Sequence, residues 1–80
     1  MEEKRIRLSS VAAAKEFVVR AAKCDFDIDV YYNRIVIDAK SLLGVLSLDL
    51  TRMLTVCMHG EDEAFSAYLD ELAAKAVTAA

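Results

Sequence analysis

The stretch "DFDIDVYYNRIVIDA" (residues 25–39) determines the architecture predicted for this chain. Its first half alternates polar and apolar residues, which is typical of a strand with one buried face. The apolar positions of that strand are Phe26, Ile28, Val30 and Tyr32. Asn33 and Arg34 then interrupt the alternation, and asparagine tolerates the left-handed backbone of tight turns. We therefore predict a β-hairpin over residues 26–39.

A strand and a helix are predicted before the hairpin. "KRIRL" (residues 4–8) alternates charged residues with Ile6 and Leu8, which favours a strand with one wet face. Ser9 and Ser10 follow, and a serine can cap the N-terminus of the next helix. Residues 10–23 then carry small and apolar side chains at helical spacing: Val11, Ala14, Phe17, Val18, Ala21 and Ala22. The pattern indicates an amphipathic helix.

Three more elements are predicted after the hairpin. A short helix is expected from Ser41, and "RMLTVCMH" (residues 52–59) reads as a strand that Gly60 ends. The apolar face of that strand carries Leu54, Val56 and Met58. "EDEAFSAYLDELAAKAV" (residues 61–77) begins with acidic residues, which the dipole of a helix favours in its first turn. The predicted stripe of this last helix is Phe65, Leu69, Leu72 and Ala76, flanked by Tyr68 and Ala73.

The order β-α-β-β-α-β-α predicts an α/β (α+β) two-layer open-faced sandwich. Each strand shows one apolar face, so a four-stranded antiparallel sheet with three helices on one face buries the apolar surface economically. The chain has 80 residues, no proline and no polar linker. We therefore predict a single domain over residues 1–80.

The charge of the chain argues against two classes of partner. The formal net charge is −3. Phosphate backbones and anionic lipids attract basic proteins, so no nucleic acid and no membrane is expected as a partner. "MEEKRIRLSS" at the start has no apolar segment, and no stretch has the length that spans a bilayer. We expect a cytoplasmic protein.

The residues that could support catalysis or bind a metal are few. Cys24 and Cys57 are well separated, which favours free thiols in a reducing compartment. Cys57 and His59 could share one face of a strand, but two ligands do not make a metal site. No pair of base and nucleophile can be assembled from one histidine and two scattered cysteines. The sequence therefore predicts no enzyme, no catalytic residue, no metal and no cofactor.

Three motifs, together with this topology, resemble the HPr family, the histidine-containing phosphocarriers of the bacterial sugar phosphotransferase system. They are "KSLLGVLSL" (residues 40–48), "DIDVYYN" (27–33) and "GEDE" (60–63). The first motif resembles the second helix of HPr proteins from Gram-positive bacteria in residue types and in the position of its glycine. The resemblance covers nearly the whole chain and implies the HPr fold and a role linked to the phosphoenolpyruvate-dependent system.

The chain departs from the family at the start of the first helix. Family members carry a Gly-(Ile/Leu)-His-Ala-Arg-Pro run there, and its imidazole takes the phosphoryl group. The corresponding stretch "LSSVAAAKEF" (residues 8–17) has no histidine, arginine or proline. The resemblance therefore implies an HPr-like protein without phosphohistidine carrier activity, similar in that respect to catabolite-repression HPr.

Ser41 occupies the position that a regulatory kinase phosphorylates in Gram-positive HPr proteins. The resemblance therefore implies regulatory phosphorylation of Ser41, with Lys40 beside it to favour the added charge. A capping role for Ser41, worth about 1 kcal/mol, would also explain the serine. Both interpretations are open from the sequence alone.

The leucines after Ser41 predict a binding surface. If Val45 and Leu48 point inward, the remaining leucines of the helix fall largely outside, unless neighbouring helices shelter them. The predicted partner-binding residues are Lys40, Leu42, Leu43 and Leu46. The resemblance implies proteins as partners: phosphotransferase-system enzymes, the serine kinase or a transcriptional regulator. Gly44 is expected to let the partner or another helix approach closely.

Together these features predict a regulatory, protein-binding module that phosphorylation of Ser41 could switch. Two alternative functions remain open. His59 could serve as a substitute phosphoryl acceptor, with backbone N–H groups of Gly60 and the next helix nearby. The adjacent acids, Glu61, Asp62 and Glu63, would repel a phosphoryl group. The second alternative is a structural remnant of the fold whose leucine face forms a homodimer.

Overall fold

The computed structural model describes residues 2–78, and the side chains of residues 2–74. Seven elements follow one another in the predicted order. They are β1 (Glu2–Ile6), α1 (Val11–Ala22), β2 (Ile28–Tyr32), β3 (Ile35–Asp38), α2 (Leu42–Leu46), β4 (Leu54–Met58) and α3 (Glu63–Thr78). The predicted fold class is confirmed.

The four strands form one antiparallel sheet in the order β1-β4-β2-β3. The last strand in the sequence therefore lies between the first strand and the hairpin. Val56 of β4 lies opposite Lys4 of β1 on one side and opposite Val30 of β2 on the other. The two edges of the sheet are β1 and β3.

The helices cover one face of the sheet. Five side chains of β2 and β4 that point to this face are fully buried: Ile28, Val30, Leu54, Val56 and Met58. Phe17 of α1, Val45 of α2 and Leu69 of α3 belong to the same hydrophobic cluster and are equally buried. Packing helices on one side only leaves the opposite face of the sheet without a second layer.

The hairpin and the first helix agree closely with the sequence prediction. Asn33 has a positive φ of 54°, which is the left-handed backbone expected of the turn. Ser10 is the N-cap of α1, and its hydroxyl accepts a hydrogen bond from the backbone N–H of Ala13 at 3.1 Å. The cap satisfies one of the N–H groups that a helix start leaves without a partner.

The first strand lies two residues earlier than predicted. The sequence places it at residues 4–8, whereas β1 is Glu2–Ile6. Its partner β4 begins at Leu54, which pairs with Ile6, so the ladder has no further residue to pair with Leu8. Leu8 is nevertheless buried, as its apolar character predicts.

The last helix buries most of the stripe that the sequence predicts. Phe65, Leu69 and Leu72 are buried, and Tyr68 beside them is only 8% exposed. Ala76, the fourth member of the predicted stripe, lies outside the residues whose side chains the structure describes. The ring of Tyr68 also packs beneath the guanidinium of Arg20, which fixes α3 to α1.

Gly44 lies where α2 comes close to β3. A Cβ atom at this position would lie 2.6 Å from Cγ2 of Ile37 and 3.1 Å from Oγ of Ser41. The expectation that the glycine admits a partner or another helix is therefore wrong: the neighbour is a strand residue of the same chain. The absence of a side chain lets α2 pack directly onto the sheet.

We predict that Gly44→Ala lowers the free energy of unfolding by about 1 kcal/mol, because the clash with Ile37 outweighs the gain in helix propensity. Chemical denaturation of both proteins measures the difference. In an Ile37→Ala background the clash is absent, and the same substitution should raise stability by about 0.5 kcal/mol. An equal effect of Gly44→Ala in both backgrounds would contradict the close approach.

Candidate functional site

The α2 helix begins at an accessible serine. Ser41 is exposed and is the N-cap of α2, with φ −98° and ψ 106°. Its Oγ accepts a hydrogen bond from the N–H of Gly44 at 3.2 Å. The structural role that the sequence suggested for this serine is therefore present. The exposed hydroxyl is also open to modification from solvent.

The leucines of α2 divide nearly as the sequence predicts. Val45 is fully buried and Leu48 is 7% exposed, whereas Leu43 is 84% exposed and Leu42 is 36% exposed. Leu46 differs from the prediction, because it is half-buried and packs against the hydrophobic core. It follows Val45 by one residue, or about 100° around the helix, which places it at the border between the buried and exposed sides. Leu42 and Leu43 thus form the exposed part of α2.

Lys40 connects the start of α2 to the end of α1. Its Nζ donates a hydrogen bond to the carbonyl oxygen of Cys24 at 2.8 Å, and the side chain is partly buried. Cys24 follows the C-cap of α1, where carbonyl groups carry partial negative charge that a cation stabilises. The ammonium group is therefore held at the end of α1. The sequence had instead predicted that it lies beside Ser41.

The start of α1 presents only small or uncharged side chains. After the cap Ser10 comes Val11, which is 54% exposed, and no acidic residue lies in the first turn. α1 and α2 pack against each other. We use the name α1–α2 face for three exposed apolar side chains, Val11 at the start of α1 and Leu42 and Leu43 at the start of α2.

His59 lies at the other end of the sheet from the start of α1. The ladder pairs Ile6, which leads into α1, with Leu54, whereas Glu2 pairs with Met58 next to His59. The strand between these two ends is five residues long, or about 14 Å. His59 is therefore remote from the place where the family carries its histidine.

The imidazole of His59 is held by a carboxylate. Its Nε2 lies 2.9 Å from Oδ2 of Asp29 on β2, and its backbone N–H donates to the carbonyl oxygen of Asp27 at 3.0 Å. The side chain is 33% exposed. Asp62, three residues further on, accepts the N–H of Phe65 at 2.9 Å at the start of α3. These contacts give His59 a structural role that joins β4 to β2.

The two thiols are free and buried. Burial raises the pKa of Cys24, and the nearby carboxylate of Asp62, 3.9 Å from its Sγ, raises that pKa further. Burial likewise raises the pKa of Cys57, and the negative charges of Glu3 and Asp29 act in the same direction. A raised pKa reduces the fraction of reactive thiolate at neutral pH.

No group of three or more His, Cys, Asp or Glu side chains among the described residues could hold a metal ion. Within the same part of the chain, no helix is long and apolar enough to cross a membrane.

The fold and the sequence of this protein together identify its class. A family model described as "PTS HPr component phosphorylation site" matches residues 10–77, which is most of the chain. The chain therefore belongs to the HPr family of the phosphotransferase system. None of the curated proteins matches it.

Solved structures of HPr proteins share its fold. The crystal structure of HPr-C-His from Thermoanaerobacter tengcongensis superimposes with a TM-score of 0.76 at 24% identity, covering 94% of this chain and 93% of the other. The phosphocarrier protein HPr from Bacillus anthracis str. Ames gives a TM-score of 0.66 at 28% identity, covering 91% of this chain and 93% of the other. The resemblance to the HPr family predicted from the motifs is confirmed.

Membership of this family places the chain among the HPr-like proteins of the phosphotransferase system. HPr proteins carry phosphoryl groups between other proteins of the phosphotransferase system and are not catalysts in themselves. They interact with other proteins of that system. The only histidine of this chain is His59. The family model therefore matches the chain although its first helix starts without a histidine.

Proposed function

We propose that this protein is a regulatory, protein-binding member of the HPr family that carries no phosphohistidine on α1. The observation that supports it is the combination at α2: Leu43 is 84% exposed, two residues from an accessible Ser41. α2 has only five residues, and exposed leucines add little to the stability of such a short helix. Such side chains are typical of surfaces that other proteins cover.

The α1–α2 face is the proposed docking surface. Val11 at the start of α1 and the two leucines of α2 supply exposed apolar area on two helices that pack together. A few large apolar side chains at the centre of an interface often carry most of its binding energy. The partners we propose are the cytoplasmic ones that the family implies, namely a phosphotransferase-system enzyme, a serine kinase or a transcriptional regulator.

Ser41 is the proposed switch of this surface. A phosphoryl group on its Oγ would add close to two negative charges at pH 7, next to Leu42 and Leu43. Charge beside an apolar contact disfavours partners that bury the leucines and favours partners with basic side chains. The N–H groups at the start of α2 are available to the phosphoryl oxygens in place of the hydroxyl cap.

The alternative of a carrier that uses His59 has weaker support. The contact of Nε2 with Asp29 leaves only Nδ1 as an acceptor, and a phosphoryl group there would meet the negative charges of Glu61 and Asp62 after the strand. The position of His59 at the far end of the sheet also separates it from the start of α1.

We predict that phosphoenolpyruvate and the first enzyme of the system leave no acid-labile phosphate on this protein. The measurement is incorporation of labelled phosphate followed by acid treatment, with a histidine-bearing HPr as the positive control. Label that appears on this chain and disappears in His59→Gln would establish the carrier alternative instead.

We predict that Leu43→Glu weakens binding to a phosphotransferase-system partner at least about tenfold, because it places a charge in the apolar contact. Val19→Glu is the matched control, since Val19 is 56% exposed on α1 and lies outside the α1–α2 face. Titration calorimetry with the first enzyme and with the serine kinase measures both variants. Equal losses in the two variants would count against this docking surface.

We predict that the family's serine kinase with ATP labels Ser41. Ser41→Asn removes the hydroxyl and keeps a good N-cap, so it should remain folded and unlabelled. Ser47→Ala, at the other end of α2, should be labelled like the original protein. Mass spectrometry locates the phosphate. An unmodified Ser41 after complete conversion of a control HPr would remove the switch from the proposal.

A further inference from the structure

The outer edge of β3 is an exposed strand edge with apolar side chains. Among residues 2–78, β3 pairs with β2 alone, so no strand of this part of the chain lies on its other side. Ile35 is 48% exposed and Val36 is 54% exposed. The four residues of β3 include neither proline nor lysine, two residues that commonly protect edge strands from pairing with another chain.

The backbone of Val36 points its polar groups outward. Ala39 donates its N–H to the carbonyl oxygen of Ile28 across the β2–β3 ladder at 2.9 Å. The direction of these groups alternates along an antiparallel strand, so Ile37 and Ile35 also bond to β2. The N–H and C=O of Val36 therefore face the open side, where another strand can bind them.

The sequence at this edge is self-complementary. Residues 34–38 read "RIVID". An antiparallel copy of this segment centred on Val36 places Val36 opposite Val36, Ile35 opposite Ile37, and Arg34 opposite Asp38 at both ends. Each opposed pair is therefore either apolar with apolar or a cation with an anion. The centre of this register is also the residue whose backbone groups point outward.

The charges beside β3 favour this register as well. Asp38 lies directly opposite Asp29 of β2, so two carboxylates are neighbours on the open face of the sheet. Asp29 is paired with His59, while the carboxylate of Asp38 accepts a hydrogen bond only from the backbone N–H of Lys40, at 2.9 Å, within the described part of the chain. Among the described residues Arg34 has no salt bridge. The arginine of a second copy would meet Asp38 from its open side.

We propose that a second copy of this chain pairs with β3 to form a two-fold symmetric dimer with one continuous eight-stranded sheet. The two-fold axis passes through the sheet at Val36, so the helices of both copies lie on the same side. The contact is formed by the self-complementary segment 34–38 and is distinct from the α1–α2 face. It therefore does not depend on the proposed regulatory function.

Sedimentation equilibrium of the full chain at increasing concentration tests the dimer. The mass should rise from that of one chain towards that of two. Val36→Lys places two ammonium groups at the axis and should weaken association at least about tenfold. Val19→Lys is the matched control, because Val19 has nearly the same exposure, 56% against 54%, on a helix away from β3. It should dimerise like the original protein.

A charge exchange tests the register. Arg34→Asp and Asp38→Arg each place like charges opposite one another and should weaken the dimer, whereas the double variant restores opposite charges and should restore it. Circular dichroism establishes that each variant remains folded. In the original protein the N–H of Val36 should exchange with solvent more slowly as the dimer forms.

Three outcomes would overturn the proposal. One is a single-chain mass at every concentration. Another is a dimer that Val36→Lys leaves intact and Leu43→Glu abolishes, which would assign the contact to the α1–α2 face. The third is a double variant at positions 34 and 38 that stays as weak as the folded single variants.

Discussion

The position of β4 between β1 and β2 is the constraint on which the rest of this structure depends. β4 pairs with β1 on one side and with β2 on the other, and three of its five side chains are fully buried beneath the helices. A segment from late in the chain thus joins the first strand to the hairpin. The same pairing sets the start of α1 at one end of the sheet and His59 at the other. That separation argues against His59 as a substitute for a histidine at the start of α1.

The sequence predicted the parts of the fold that depend on local patterns. The alternation before Asn33, the cap at Ser10 and the cap at Ser41 each rest on residues close together in the chain, and all three are present. The shift of β1 to Glu2–Ile6 could not be seen locally, because the length of a strand depends on where its partner begins. The burial of helix residues at the edge of the buried side, such as Leu46, likewise cannot be predicted from local sequence.

The contacts around the candidate site show this limit most clearly. Asp29 and His59 are 30 residues apart in sequence, and only the register between β2 and β4 brings them to 2.9 Å. The hydrogen bond from Lys40 to Cys24 likewise requires α1 and the start of α2 to meet. Neighbours along the chain suggested chemical roles for His59 and Lys40. Their partners in the fold give them structural roles.

The setting of Cys57 offers a direct way to follow the sheet itself. Its side chain points away from the helices yet is only 1% exposed, because it lies in the middle strand with Glu3 and Asp29 directly opposite it on the two sides. A thiol reagent reaches it when the side chains that cover it move aside or when β4 separates from a neighbouring strand, and denaturant accelerates mainly the second event. The part of the Cys57 labelling rate that rises with denaturant therefore measures how often the centre of the sheet opens, by a probe that the chain already contains.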